Sequence, residues 1–135
     1  MQITRAADWV LFSTSQFDQQ VAYLRDVLGM PIEAQGPAMV DQHFLRYAQF
    51  ALPGGVTLEV VEPSPEFTDF HDVTIVCLTV DDLTEGLHEL TAQQQTPISP
   101  VFTDGHDWGW TYLRMPDGGI YQLQGNVAHQ EQHDT

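Results

Sequence analysis

The chain has 135 residues, of which 42% are hydrophobic, and this supplies enough apolar material for one compact domain but not for two ordinary independent ones. Its formal net charge of −15 disfavours contact with nucleic-acid phosphates and anionic membranes. The same charge would attract cationic ligands, or it is an adaptation for solubility. The sequence contains no lysine, which excludes catalysis through a lysine Schiff base or a lysine general base.

No stretch of the sequence reaches the roughly 20 apolar residues that span a bilayer. No apolar run of signal-peptide length precedes Asp8. These features predict a cytoplasmic protein without a nucleic-acid or membrane partner. The single cysteine, Cys77, lies in an apolar run and cannot form an internal disulfide, so we expect a buried thiol.

The first half of the chain is predicted to contain a strand, a helix and three further strands. The β-prone run 8–14 predicts the first strand. A helix is expected over 16–28, because Phe17, Val21 and Leu24 recur at the spacing of one helix face. The remaining strands are predicted at 31–36, 43–52 and 55–62.

The second half is predicted to repeat this order. A Pro-rich linker at 62–66 leads into a strand at 72–80 and a helix at 82–94, whose apolar face is formed by Leu83, Leu87 and Leu90. Three strands follow at 97–102, 108–115 and 119–124. The polar tail, 125–135, is expected to fray.

Polar residues at the helix starts predict N-terminal caps. In the first helix, Ser15 together with Asp18 has the expected spacing. In the second helix, either Asp81 or Asp82 together with Glu85 has it.

Two internal alignments support the repeat. Residues 10–16 align with 76–82 at an offset of 66, and residues 52–60 align with 115–123 at an offset of 63. The second pair of segments includes a Pro-Gly-Gly turn in one half and a Pro-Asp-Gly-Gly turn in the other.

The fold class predicted from the repeat is α+β. A single domain, 1–135, would contain two βαβββ modules, 8–62 and 72–124, which form a curved, cup-like mixed sheet with the helices outside. Such a sheet would surround a small-molecule cleft.

Two motifs carry a family resemblance. Residues 23–30 close the first helix with Asp-Val-Leu-Gly, and residues 114–119 resemble a "DPDG" turn in which Met115 replaces the first Asp. With the repeat, they make residues 8–124 resemble the vicinal oxygen chelate superfamily, also called the glyoxalase/bleomycin resistance/dioxygenase superfamily. The resemblance implies the cup-shaped fold described above.

The resemblance also implies where a metal would bind. Enzymes of the superfamily hold a divalent metal through residues on the first and last strands of each half. The two alignments place these positions at Trp9, Glu59, Ile75 and Gln122. Trp and Ile cannot ligate a metal and a glutamine amide is a weak ligand, so we expect no metal and no cofactor.

Glu59 permits three interpretations. It is an anchor for a cationic ligand, a relic of the metal site that pairs with Arg46 or Gln122, or a catalytic base with a raised pKa. For Arg46 and Arg114 the simplest expectation is pairing with neighbouring acids.

An aromatic segment precedes the final hairpin. Trp108 and Gly109 resemble the Trp-Gly motif of bleomycin-resistance proteins, in which aromatic residues bind a flat cationic antibiotic in a groove shared by two subunits. Trp110 and Tyr112 would join this surface, or they pack in the core as aromatic strand residues usually do. The predicted ligand-binding residues are therefore Trp9, Glu59, Ile75, Trp108, Trp110, Tyr112 and Gln122.

Three functions remain open at this point. The favoured one is a metal-free, homodimeric protein that sequesters a small aromatic or cationic molecule, as in antibiotic resistance. The second is a metal-dependent or Glu59-based lyase, isomerase or dioxygenase. The third is a structural or regulatory protein whose cup is closed by a second chain, since dimerisation would cover open sheet edges.

Overall fold

The computed structural model describes residues 1–40, 42–64 and 71–127, which form two compact units. The first unit is Ala7–Val76, and the second comprises Met1–Ala6 and the chain from Cys77 onward. Part of the predicted linker, 65–66, and most of the predicted tail lie outside the described residues.

The first unit contains one helix and a four-stranded sheet. Strand β1 (Ile3–Ser13), which begins in the second unit, is followed by helix α1 (Phe17–Ala22). The other strands of the unit are β2 (Ile32–Val40), β3 (His43–Ala51) and β4 (Thr57–Val61). The strand order is β2-β3-β4-β1, in which β1 and β4 are parallel and the other pairs are antiparallel.

The helix covers one face of this sheet. Val21 and Leu24 pack against Ala48, Phe50 and Val60, and the last two are fully buried. Burial of a large apolar side chain contributes about 1.5–3 kcal/mol, so this contact fixes which sheet face the helix covers. The predicted apolar helix face is confirmed.

The predicted helix over 16–28 is not regular along its length. After Ala22 the chain continues as a π-helix, Tyr23–Val27, and the Leu28 N–H donates to the Tyr23 carbonyl at 3.1 Å. The wider turn was not predicted, because the periodicity of the apolar residues does not report it. Gly29, with a φ of +71°, ends the segment.

The second unit has the same order of elements. They are β5 (Val73–Asp82), which begins in the first unit, α2 (Leu83–Ala92), β6 (Phe102–Thr103), β7 (Trp108–Arg114) and β8 (Ile120–Asn126). The strand order is β5-β8-β7-β6. Helix α2 covers one face, where buried Leu83 packs with Leu113 and Leu123 and with the partly buried Leu87 and Leu90. The predicted βαβββ repeat and the second helix face are both confirmed.

The last hairpins of the two units are closed by matching hydrogen bonds. Leu52 N–H donates to the Val56 carbonyl at 2.8 Å, and Met115 N–H donates to the Gly119 carbonyl at 2.7 Å. These positions differ by the 63 residues that the sequence alignment gave. Both hairpins therefore have the same turn register.

The predicted strand 97–102 is wrong over most of its length, because β6 contains only Phe102 and Thr103. Pro97 and Pro100 have no N–H group to donate to a neighbouring strand. Ile98 retains one such bond, donating to the Tyr112 carbonyl at 2.9 Å.

The two predicted helix caps differ in outcome. The side chain of Asp82 accepts from Glu85 N–H at 2.9 Å, which confirms the cap of α2. The Ser15 cap of α1 is wrong: Gln16 is the N-cap residue and makes no side-chain cap bond. Ser15 instead donates from its N–H and its Oγ to Asp72, each at 3.0 Å.

The expected environment of the cysteine is also confirmed, since the Cys77 thiol is buried and forms no disulfide. Within residues 1–40, 42–64 and 71–127, no helix has the length and apolar character needed to cross a bilayer.

Candidate functional site

The first-unit sheet presents its predicted site residues on the face opposite helix α1. In the parallel β1–β4 pair, Trp9 lies beside Thr57 and Leu11 beside Glu59. Because side chains alternate along each strand, Trp9 and Glu59 share one face, while Val60 on the other face belongs to the helix-covered core.

Glu59 is held by neutral hydrogen-bond donors. The Trp9 indole Nε1–H donates to Oε1 of Glu59 at 2.9 Å, and Gln49, its partner in β3, gives a second side-chain hydrogen bond. We call Trp9, Gln49 and Glu59 the Glu59 cluster. Burial of the carboxyl group raises the pKa of Glu59, and the two hydrogen bonds oppose this by lowering it.

The predicted pairing of Glu59 with Arg46 is wrong. Arg46 binds Asp18 at 2.9 Å and Glu62 at 3.0 Å, and its guanidinium lies 4.6 Å from the centroid of the Phe17 ring. The more general expectation, that Arg46 pairs with neighbouring acids, is confirmed. Because the described partners of Glu59 are neutral, its carboxylate charge is not compensated by any described basic side chain.

Gln122 occupies the position in the second unit that corresponds to Glu59. Its amide Nε2–H donates to Oε1 of Gln124 at 2.8 Å, and Gln124 Nε2–H donates to the Thr79 hydroxyl at 3.0 Å. We call Thr79, Gln122 and Gln124 the Gln122 chain. All three side chains are buried, so their hydrogen bonds are shielded from water.

Ile75, the residue that corresponds to Trp9, is fully buried. Its hydrocarbon side chain donates no hydrogen bond. The predicted role of Ile75 in ligand binding stays a prediction, because a hydrocarbon side chain makes no polar contact that would support it.

The predicted aromatic residues lie on strand β7. Trp108 and Trp110 are half-buried, whereas Tyr112 is 8% exposed. In the β7–β8 register Trp110 lies beside Gln124 and Tyr112 beside Gln122, so both rings share the face of the Gln122 chain. The binding roles of the three aromatics stay predictions.

Phe102 extends this aromatic surface and was not predicted. Its ring centroid lies 6.0 Å from Trp110 and 6.3 Å from Tyr112, within the range of favourable aromatic contacts. Sequence analysis missed it because residue 102 was placed at the end of a longer strand.

Gln49 was missed as well, although the sequence holds a signal for it. The hydrogen bond between Leu52 and Val56 fixes the β3–β4 hairpin, and counting back from that closing pair brings Gln49 opposite Glu59. The register of a hairpin turn thus predicts which residue lies opposite a given site residue on the neighbouring strand.

The four inferred metal positions do not fit a divalent metal. Ile75 has no donor atom, and the Trp9 indole nitrogen is a hydrogen-bond donor to Glu59, without a lone pair for a metal. In the described part of the chain, no group of three or more His, Cys, Asp or Glu side chains is arranged to hold a metal ion. We therefore derive no chemistry through a metal at these positions.

A surface pocket lies within the first unit, at the ends of β1, β3 and β4. None of the predicted site residues lines it. Its hydroxyl and carboxylate groups have partners within the protein, since Ser15 binds Asp72 and Glu62 binds Arg46. The lining residues are Thr14, Ser15, His43, Phe44, Leu45, Glu62 and Pro63.

Solved structures share this fold across nearly the whole chain. Methylmalonyl-CoA epimerase from Mycobacterium tuberculosis matches with a TM-score of 0.67 at 18% identity, over 98% of this chain and 93% of that one. Streptomyces coelicolor methylmalonyl-CoA epimerase, in complex with 2-nitronate-propionyl-CoA, matches with a TM-score of 0.66 at 16% identity, over 94% and 100%.

A third match is a glyoxalase/bleomycin resistance protein/dioxygenase superfamily member from Vibrio splendidus, with a TM-score of 0.62 at 12% identity, over 90% of this chain and 98% of that one. The chain matches no family model and no curated protein. At these identities the likeness defines the fold and not the activity. The chain therefore has the fold of the glyoxalase/bleomycin resistance/dioxygenase superfamily, as its repeat and motifs predicted.

Proposed function

We propose that the protein binds and sequesters a small cationic or aromatic molecule, and that Glu59 is the anchoring carboxylate. The observation that carries this proposal is the partially buried Glu59 side chain, whose described partners, Trp9 and Gln49, are both neutral. A ligand ammonium group would compensate the carboxylate charge that these partners leave uncompensated.

Two further features support a cationic ligand. The net charge of −15 produces a field that attracts cations towards the protein. The Trp9 indole lies against Glu59, and an aromatic face attracts a cation by about 0.5–2 kcal/mol. In the second unit, Trp108 and Trp110 are separately proposed to bind an aromatic ligand, the role predicted for them from the sequence.

Tryptophan fluorescence tests the proposal. The chain has three tryptophans, so the double variant Trp108→Phe, Trp110→Phe leaves Trp9, beside Glu59, as the only indole. We expect titration with bleomycin or with simple aromatic ammonium ions to change the fluorescence of this protein and to raise its melting temperature. The same variant carrying Glu59→Gln should bind each cation at least about tenfold more weakly, since losing a charged hydrogen bond costs about 1.5–3 kcal/mol.

The matched control is Glu33→Gln, which removes an exposed carboxylate from β2 and should leave binding unchanged. Unchanged fluorescence and melting temperature across a broad panel of aromatic cations would contradict the proposal. Equal affinity of the Glu59→Gln and Glu33→Gln proteins would also contradict it.

An enzymatic function is the second candidate, and the raised pKa of Glu59 is the observation that favours it. A carboxylate whose pKa is raised towards neutrality is a better general base, as an isomerase or lyase needs. Proton exchange at C2 of methylmalonyl-CoA in D2O, followed by NMR, tests this candidate. Exchange in the wild type and none in Glu59→Gln would support it, and elemental analysis of the protein tests the metal-dependent branch.

The homodimer and the cytoplasmic location predicted from the sequence are also proposals. Met39 and Phe44, which pair across β2 and β3, are both more than half exposed, and such apolar surface supports a protein contact. Sedimentation at several protein concentrations tests the dimer. A single species with the mass of one chain at every concentration would exclude it.

A further inference from the structure

The Gln122 chain ends in a buried amide whose hydrogen-bonding capacity is only partly used. A glutamine amide has two N–H donors and a carbonyl oxygen that accepts. Gln122 uses one N–H group, in its bond to Gln124, and Gln124 in turn bonds to Thr79. The hydrogen bonds between described residues include none to Oε1 of Gln122 and only one, to Gln124, from its N–H groups.

Such an arrangement is unusual, because buried polar groups in folded proteins almost always have a partner. The side chain of Gln122 is 8% exposed and that of Gln124 6% exposed, so bulk water does not solvate them freely. One acceptor and one donor of the same amide group are therefore available for a molecule that binds at this face.

The surroundings of Gln122 define which kind of molecule fits. Its register partner Tyr112 and the neighbouring Trp110 are aromatic and uncharged. Flat aromatic side chains favour a flat ligand, and an uncharged, buried environment penalises a charged one. Trp110 is only half-buried, so part of its ring surface can contact a small molecule.

We propose that Gln122 is the recognition point for an uncharged planar group that presents an N–H donor beside a carbonyl acceptor, such as the lactam of a pyridone, quinolone or pyrimidine ring. The lactam N–H donates to Oε1 of Gln122, and the lactam carbonyl accepts from its free N–H group. Tyr112 and Trp110 flank the ring. This inference goes beyond the proposed function, because none of these residues belongs to the Glu59 cluster.

Two probes that differ by one methyl group test the proposal on the unmodified protein. 2-Quinolone has the lactam N–H, whereas 1-methyl-2-quinolone lacks it and keeps the ring and the carbonyl. Dissociation constants come from chemical-shift titrations of 15N-labelled protein. We expect 2-quinolone to bind about tenfold more tightly or better, the effect of one buried hydrogen bond.

A variant then assigns the interaction to Gln122. Gln122→Met keeps the length of the side chain but removes the amide, so both quinolones should bind it with the same weak affinity. Gln35→Met, which changes an exposed glutamine on β2, is the matched control and should bind as the wild type does. Urea unfolding of each variant verifies that it is folded.

The proposal is overturned if 2-quinolone does not bind the wild type, if the two quinolones bind it equally, or if Gln122→Met retains the preference. Its failure is distinguishable from failure of the proposed function. Glu59→Gln should lose aromatic ammonium ions while keeping 2-quinolone, and Gln122→Met should show the reverse.

Discussion

Corresponding positions of the two units have the same backbone register, but one holds a carboxylate and the other a neutral amide. In the first unit, Glu59 lies opposite Gln49 in an antiparallel pair and accepts from Trp9 on the parallel strand. In the second unit, Gln122 lies opposite Tyr112, and its bond runs along its own strand to Gln124. The offsets of the repeat map these positions onto one another.

The difference teaches that a duplicated scaffold fixes where a side chain lies but not what it does. The first-strand position that the repeat aligns is Trp9 in one module and Ile75 in the other, and only the indole carries an N–H donor, which bonds Glu59. In the module that has the indole, the aligned last-strand position holds the carboxylate of Glu59. In the module that has isoleucine, it holds the neutral amide of Gln122, which avoids the cost of burying a charge without a partner.

Making the second unit resemble the first should have the largest effect. Gln122→Glu places a carboxylate at a buried position whose described hydrogen-bond partner, Gln124, is neutral, so we expect a loss of about 2–4 kcal/mol in the free energy of unfolding at pH 7. The loss should shrink on acidification, because a protonated carboxyl group is neutral.

Urea unfolding at pH 7 and pH 4 measures both effects. The control, Gln95→Glu, alters an exposed residue beyond helix α2 and should leave stability nearly unchanged. If Gln122→Glu is as stable as the control at pH 7, the second unit tolerates a carboxylate at this position and the inferred difference between the units is wrong.

Removing the donor from the first unit should have the next largest effect. Trp9→Phe keeps an aromatic ring but deletes the indole N–H that bonds Glu59, and we expect a loss of about 1–3 kcal/mol. The control is Trp110→Phe, since no described hydrogen bond involves the Trp110 indole. Denaturant unfolding compares the two, and a larger loss in the control would show that ring size matters more than the hydrogen bond.

The helix starts differ between the units as well, with a smaller expected effect. Asp82→Ala removes the side-chain cap of α2 and should cost about 1 kcal/mol of stability. Gln16→Ala changes the N-cap residue of α1, which makes no side-chain cap bond, and should cost less. Thermal unfolding measures both variants, and equal losses would contradict the assignment of the caps.

The fold could be predicted because its signals are local or repeated. Apolar residues at helical spacing gave both helix faces, and the two Gly-rich turns gave the hairpins that the hydrogen bonds of Leu52 and Met115 close. The start of β1 at Ile3 and the continuation of β2 to Val40 were underestimated. Pro37 lies one residue beyond the predicted strand end, and proline is tolerated there because β2 is an edge strand of the described sheet.

The candidate site could be predicted only in part, because its contacts join residues that are distant in sequence. The superfamily resemblance placed Trp9 and Glu59 at one site, but it did not predict the hydrogen bond between them, which depends on rotamers and on burial. Ser15 has the composition of a helix cap, and only the fold brings Asp72 within its reach. The same limit explains why the sequence offers Arg46 as one possible partner of Glu59, whereas its partners in the fold are Asp18 and Glu62.

The smallest predicted effect concerns the ionisation of Glu59. Burial raises the pKa of Glu59 in the folded protein above its ordinary value of 4.5. The stability that the protonated carboxyl group contributes is therefore fully present below that ordinary value and is lost as the pH rises through the raised one. Glu59→Gln keeps an acceptor for the Trp9 indole and cannot ionise.

We therefore expect Glu59→Gln to gain stability relative to the wild type as the pH rises from 4 to 8, with the smallest difference between the two proteins at acid pH. Urea unfolding across this range measures the difference, and Glu33→Gln, at an exposed carboxylate, should show no such trend. A wild type that gains stability over Glu59→Gln as the pH rises would mean that a cation compensates the carboxylate in the folded protein. In that case Glu59 would be part of an ion pair, and the first unit would differ from the neutral Gln122 chain by that cation as well as by the carboxylate.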